Sequence, residues 1–176
     1  MESLKFYTVD NDYVEYLKKA ETEARGFSRV PDMIYGKANK PKFLCGIVLS
    51  VKSKDYYVPV TSYKHQKPDN FLILASSGDV TSSLRFNYMF PVPKELVSMR
   101  VIPNEPDIKY RRLLVQELLY CESNQSKILF LAERTYKRVM LGKDKGLIAN
   151  ACDFKLLEEK CLEYCNAHNL TFNPAG

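Results

Sequence analysis

The stretch PKFLCGIVLSVKSKDYYVPVTSYK, residues 41–64, decides the fold of this chain. Phe43–Val51 is a continuous apolar run of strand length, Lys52–Asp55 is polar, and Tyr56–Val60 is again apolar, rich in aromatic and β-branched residues. That order predicts an antiparallel hairpin with buried strands. With the turn at Lys52–Asp55, Val51 falls opposite Tyr56 and Gly46 opposite Thr61. Lys42 then lies at the same end of the ladder as Thr61 and Ser62, about four residues farther on, or roughly 13 Å along a straight strand. Curvature or a bulge at Gly46, with the reach of the lysine, has to close that gap.

Upstream, Leu4–Val9 alternates as a short strand. Asp10 offers an N-cap acceptor to a helix from Asn11 to about Arg25, with Tyr13, Val14 and Leu17 on adjoining positions. Gly26–Asn39 is polar and punctuated by Gly and Pro, the signature of a loop. Downstream, Thr61–Asn70 reads as a basic loop, Phe71–Ala75 as a strand and Ser76–Gly78 as a turn. Arg85–Phe90 reads as a further strand stopped by Pro91 and Pro93, with a short one near Val97–Ile102. From Asp107 the period becomes helical: Tyr110, Leu113, Leu114, Leu118 and Cys121, then more loosely Ile128, Leu131, Tyr136, Val139 and Met140. Asp153 caps a last helix in which Phe154, Leu157, Cys161 and Cys165 share a face. Strands first and helices later predict an α+β fold in one domain, residues 1–170, with Thr171–Gly176 as a flexible tail.

A chain of 176 residues, 45% hydrophobic, can bury a sizeable core. Its net charge of +5 is unevenly spread. Between Gly36 and Lys67 seven lysines (37, 40, 42, 52, 54, 64 and 67) meet the single acid Asp55, so this segment exceeds the charge of the whole chain. A basic stripe favours a polyanionic partner, because phosphate contacts release condensed counterions. Twelve tyrosines supply flat faces for stacking on bases or for an ordinary core. Five irregularly spaced cysteines make no disulfide framework. No apolar run approaches a membrane span, and Met1–Lys5 lacks the apolar core of a signal peptide, so a reduced cytoplasmic protein is expected.

The ends of the hairpin carry the candidate chemistry. A lysine ammonium can steady charge building on a phosphodiester, and when desolvated beside other cations a lysine can also act as a base. Hydroxyls such as Thr61 and Ser62, with backbone N–H groups, can hydrogen-bond non-bridging oxygens. As local sequence, Thr61–Ser62 is equally a turn pair. Cys161, Cys165 and His168 are spaced for one helix face and with Cys152 would make a zinc site, but cysteines at such positions more often fill a core, and no metal or cofactor is expected. His65, far in sequence from His168, can contact RNA but finds no paired imidazole. There is no Walker loop, dinucleotide-binding glycine pattern or HExxH, which sets aside nucleotide-dependent and zinc-protease chemistry.

Several segments, in order, resemble the ToxN/AbiQ endoribonuclease toxins of type III toxin–antitoxin systems, most closely the CptN branch. They are Lys5–Phe6–Tyr7–Thr8, Tyr13-x-x-Tyr16–Leu17–Lys18, Pro41–Lys42 before Gly46–Ile47–Val48–Leu49, and Pro59–Val60–Thr61–Ser62–Tyr63–Lys64, which is similar to the family's P-L-T-S-P-K. Tyr88–Met89–Phe90–Pro91, Tyr110–Arg111–Arg112–Leu113–Leu114 and Cys152–Asp153–Phe154 through Lys160 complete the series. The resemblance implies a compact curved antiparallel sheet of the SH3-like barrel type, as in MazF- and CcdB-like toxins, surrounded by helices. It implies metal-independent RNA cleavage leaving 2′,3′-cyclic phosphate and 5′-hydroxyl ends. Its implied partners are cellular or phage RNA as substrate and a repeat-derived pseudoknot antitoxin RNA, which the toxin cuts and which then inhibits it in a closed protein–RNA assembly. Carried over by position, Lys42, Thr61, Ser62 and Tyr13 are the expected catalytic residues. Lys5, Tyr35, Lys37, Lys40, Lys64, His65, Arg85, Arg111 and Arg112 are the expected RNA-binding ones. The chain departs from the family at Ala38, where a tyrosine is usual and for which Tyr35 is the candidate substitute, and at Tyr63, which replaces a proline. A non-catalytic RNA-binding module using the same lysines is the alternative reading.

Overall fold

The computed structural model describes residues 2–38 and 40–171. The tail expected from Thr171 therefore lies, after its first residue, outside the described residues. At the centre stand β4 (Leu44–Val51) and β5 (Lys54–Thr61), the expected hairpin, joined by a tighter turn than the sequence suggests. Val51 pairs with Lys54, leaving only Lys52 and Ser53 in the turn, both at positive φ (47° and 64°). A two-residue connection with both residues left-handed matches the twist of the strands it joins. The expected pairing of Val51 with Tyr56 is thus replaced by Leu49 with Tyr56.

β1 (Lys5–Val9) adds antiparallel to β4, and β9 (Val97–Met99) closes that edge. On the other side of β5 lie β7 (Val80–Arg85) and then β6 (Asn70–Leu74), with the two-residue β8 (Phe90–Pro91) sharing the β5 edge with β7. The sheet runs β6-β7-β5-β4-β1-β9, and the described strands do not close into a barrel. Part of the expected loop 26–39 is ordered: β2 (Ile34–Tyr35) pairs with β3 (Lys40–Pro41) as a separate two-stranded ribbon.

One strand was misplaced by sequence reasoning. The residues expected as a strand from Arg85 form a 3-10 turn over Phe86–Tyr88 followed by β8, while the strand itself precedes them. The run Thr81–Ser82–Ser83 hid it, because hydroxyl residues read as loop. Paired on both sides, β7 buries Ser82 and Ser83, and their hydroxyls donate to Glu117 (2.7 Å) and to the Tyr63 carbonyl (2.6 Å).

The helices are α1 (Asn11–Arg25), α2 (Ile108–Ser123), α3 (Gln125–Leu141), the short α4 (Lys145–Asn150) and α5 (Phe154–His168). Asp10, Asp107, Asp144 and Asp153 each accept a backbone N–H in the first turn, so four helices share one start device. α4 alone escaped the sequence reading: its cap Asp144 precedes a helix too short to show a period. α5 packs on α1 through Tyr164, whose ring meets Tyr13 and Tyr16 at 5.0 Å each. α3 covers β4, and α2 covers β6. Two buried carboxylates tie distant segments together. Glu21 accepts from the backbone of Arg29 (2.5 Å) and Asp153 (3.1 Å) and pairs with Arg25. Glu158 accepts from the hydroxyls of Tyr56 and Tyr136, both at 2.7 Å.

Candidate active site

Between Cys45↔Val58 and Leu49↔Tyr56, Gly46, Ile47 and Val48 of β4 face the single Tyr57 of β5. This bulge advances β4 by two residues relative to β5. Continuing the register Leu44↔Pro59 sets Lys42 level with Thr61, and the hydrogen bond from Val60 N to Phe43 O (2.9 Å) extends the ladder toward it. Only glycine fits at the bulge: a Cβ on Gly46 would sit 2.3 Å from Cδ1 of the buried Tyr57. From the other side Lys42 is held by its backbone N–H, which donates to Met33 O at 2.8 Å.

Beside this junction opens a cleft of about 410 Å³. Lys42, Thr61 and Ser62 all line it, together with Tyr35 from the β2–β3 ribbon and Tyr110, Leu113 and Glu117 from α2. Lys42 forms no ion pair with any described residue. It lies close enough to Asp32 to help hold that carboxyl below its usual range, the larger cause being the Lys18 ammonium hydrogen-bonded to it. The Thr61 and Ser83 hydroxyls are 3.2 Å apart. Because Ser83 gives its hydrogen to Tyr63 O, Thr61 is the donor in that pair. Ser62 is exposed, and its hydroxyl meets no described partner. Partial burial pushes the Tyr110 phenol up to about 12, with the nearby Tyr35 adding to the shift, so it stays protonated at neutral pH.

The remaining candidates scatter. Tyr13 is not at the cleft: it is buried between α1 and α5 and its hydroxyl donates to Pro91 O at 2.6 Å. The apolar periodicity of α1 turns it inward, and burial raises its phenol well above the ordinary value. Lys5 is engaged by Glu122 at 2.8 Å on the β1 side of the sheet. Lys37 and Lys40 are exposed on the ribbon that carries Tyr35, and Lys64 and His65 are exposed beyond Ser62, with His65 edge-on to Tyr63. Arg85 lies between the Tyr63 and Tyr88 rings (4.7 and 4.5 Å) and faces a different pocket. Arg111 and Arg112 line another surface with Ile102 and Pro103. The lysine run is not one stripe in space, because the hairpin carries Lys52 and Lys54 to the end opposite the cleft. Cys161 and Cys165 are buried thiols, His168 stacks on Tyr164 at 3.9 Å, and among the described residues no group of His, Cys, Asp or Glu could hold a metal ion. No helix among them is long and apolar enough to cross a membrane. Glu117, Ser82 and Ser83 were missed by sequence reasoning. The glutamate has no motif around it, and its place emerges only when α2 packs on the sheet.

A cation and a free hydroxyl across an α+β cleft make a site for an oxyanion such as a phosphodiester. The model of the family described as "Toxin ToxN, type III toxin-antitoxin system" matches residues 5–162, and the chain belongs to that family. It is 29% identical over 170 residues to endoribonuclease ToxN of Pectobacterium atrosepticum, covering 92% of this chain and 94% of that one. It is 28% identical over 176 residues to endoribonuclease AbiQ of Lactococcus lactis subsp. lactis, covering 92% and 90%. A solved structure from work on selective toxin inhibition by a non-coding RNA pseudoknot in bacterial type III systems superposes with a TM-score of 0.82 at 26% identity, over 93% of this chain and 98% of that one.

Proposed function

We propose that this chain is a metal-independent endoribonuclease toxin of a type III toxin–antitoxin system, acting in the cytoplasm. One observation carries the reading: in a chain of this family, the bulge at Gly46 sets Lys42 level with Thr61–Ser62 at a single cleft. The RNA 2′-oxygen attacks the adjacent phosphorus as its proton is removed, and a P–O2′ bond forms. The P–O5′ bond breaks and the 5′-oxygen takes up a proton, leaving a 2′,3′-cyclic phosphate and a 5′-hydroxyl. Lys42 supplies positive charge to the phosphorane, and Ser62 donates to a non-bridging oxygen. Thr61 supports that end through its bond to Ser83 and donates to the substrate once it turns from it. Tyr35 and Tyr110 offer ring faces to the neighbouring bases, and Tyr35 takes the part of the tyrosine the family has where this chain has Ala38. Lys37, Lys40 and Lys64 flank the cleft as phosphate contacts.

By analogy with the relatives, the inhibitor is a pseudoknotted non-coding RNA that the toxin first processes and that then occupies this cleft in a closed protein–RNA assembly. We read the open sheet, bent at Gly46, as a variant of the SH3-like barrel expected for such toxins. The test is incubation of the pure chain with total RNA in EDTA and labelling of the new ends. New 5′-hydroxyl termini are expected. RNA bound but left intact would make the chain an RNA-binding module, and 5′-phosphate ends or a need for Mg²⁺ would overturn the mechanism.

A further inference from the structure

Glu117 has no part in the chemistry above, yet it lines the same cleft as Lys42, Thr61 and Ser62 while only 5% exposed. Its Oε1 accepts the hydroxyl of Ser82 at 2.7 Å, and Ser82 is itself buried in the wall. Among the described residues no other group donates to this carboxyl and no cation pairs with it. The second carboxyl oxygen, Oε2, has no donor among the described residues and is not sealed from solvent, and an acceptor presented to a ligand cleft points to a donor on the ligand. On α2, Tyr110, Leu113 and Glu117 follow one another along one face, which places the carboxyl on the same cleft wall as a phenol ring.

RNA offers phosphates, ribose 2′-hydroxyls and bases to such a cleft, and a 2′-hydroxyl donating to Glu117 would leave amino and deamino bases equally good substrates. Its phosphates carry only acceptor oxygens, which Lys42 and Ser62 suit and Glu117 does not. Its bases carry N–H donors, and the exocyclic amino groups of adenine, cytosine and guanine project farthest. Uracil has no amino group: it sets carbonyl oxygens at those edge positions, with its one pairing-edge N–H recessed between them. We propose that Glu117 is the base-reading residue of the cleft: held by Ser82, its free oxygen accepts an N–H from the exocyclic amino group of a nucleobase next to the scissile linkage. The inference rests on the endoribonuclease reading and adds to it the class of base selected.

The experiment uses the full chain in EDTA with oligoribonucleotides randomised around one cleavage position, sequenced from their 5′-hydroxyl products. One flanking position should favour an amino-bearing base over uracil. At that position the base is then replaced by its analogue lacking the amino group: purine riboside for adenosine, inosine for guanosine, or pyrimidin-2-one riboside for cytidine. Loss of the amino group should lower kcat/KM about tenfold in the native chain, whereas in E117Q the two substrates should differ by about twofold or less, with the melting temperature retained. Equal rates on amino and deamino substrates in the native chain overturn the proposal whether or not E117Q folds. An undiminished preference in a folded E117Q overturns it as well. In both cases the endoribonuclease stands. Failure of the native chain to cut any RNA overturns the endoribonuclease reading and the base-reading subsite with it.

Discussion

Ser62 contributes a hydroxyl and almost no packing, being exposed and bonded to no described residue. Ser62→Ala should therefore leave the melting temperature unchanged and RNA affinity nearly so, while single-turnover cleavage falls about 10²–10³-fold, the usual loss for one oxyanion donor. Equal losses of binding and cleavage would assign this serine to affinity alone. Glu122 carries a second prediction at this scale. The Lys5 ammonium (2.8 Å) and then the Ser3 hydroxyl (2.6 Å) hold its carboxyl below the usual range. A carboxyl depressed in the folded state stabilises the fold above its unfolded pKa, near 4.3, and loses that contribution as pH falls through the folded value. Thermal melts of the native chain should lose stability below about pH 4.3 more steeply than those of Glu122→Gln.

At the scale of elements, the β4 bulge couples stability to chemistry. Gly46→Ala drives a methyl into the Tyr57 ring, whose Cδ1 and Cε1 would stand 2.3 and 2.7 Å away. Overpacking of this kind costs about 1–3 kcal/mol, read as a shift in the denaturant midpoint. Because the same residue sets the level of Lys42 against Thr61, cleavage by the protein that remains folded should fall too; full activity would detach the bulge from the site. The starts of α1 and α5 were legible because a capping aspartate acts on its own next turn, and Asp153→Ala should cost about 1 kcal/mol, read as a shift in the denaturant midpoint. β7 was not legible, since burial of Ser82 and Ser83 depends on acceptors from Glu117 and Tyr63, far from β7 in sequence.

For the whole molecule, charge placement governs RNA binding. Lys37 and Lys40 are exposed on the ribbon that brings Tyr35 to the cleft and Lys64 follows two residues after Ser62, whereas β5, at about 3.3 Å per residue, sets Lys52 roughly 25 Å from it. Affinity for single-stranded RNA should fall linearly in log–log form as salt rises. Replacing any one of the three near lysines with alanine should reduce that slope by about 0.7, and Lys52→Ala should not change it. Titrations at several salt concentrations would show the difference, and an equal effect from Lys52 would mean that RNA also tracks the hairpin tip.

By itself the sequence determined the hairpin, four of the five described helices, the α+β order and the presence of an amine before β4 and of two hydroxyls at the end of β5. Each follows from local periodicity, capping or chain order. Only the tertiary structure decided that a two-residue slip at Gly46 brings those groups level, that Tyr13 turns into the core, that Arg111 and Arg112 face away from the cleft, and that Glu117 enters its wall. The reason is that register and facing depend on which distant surfaces bury one another, and no short window of sequence contains both surfaces.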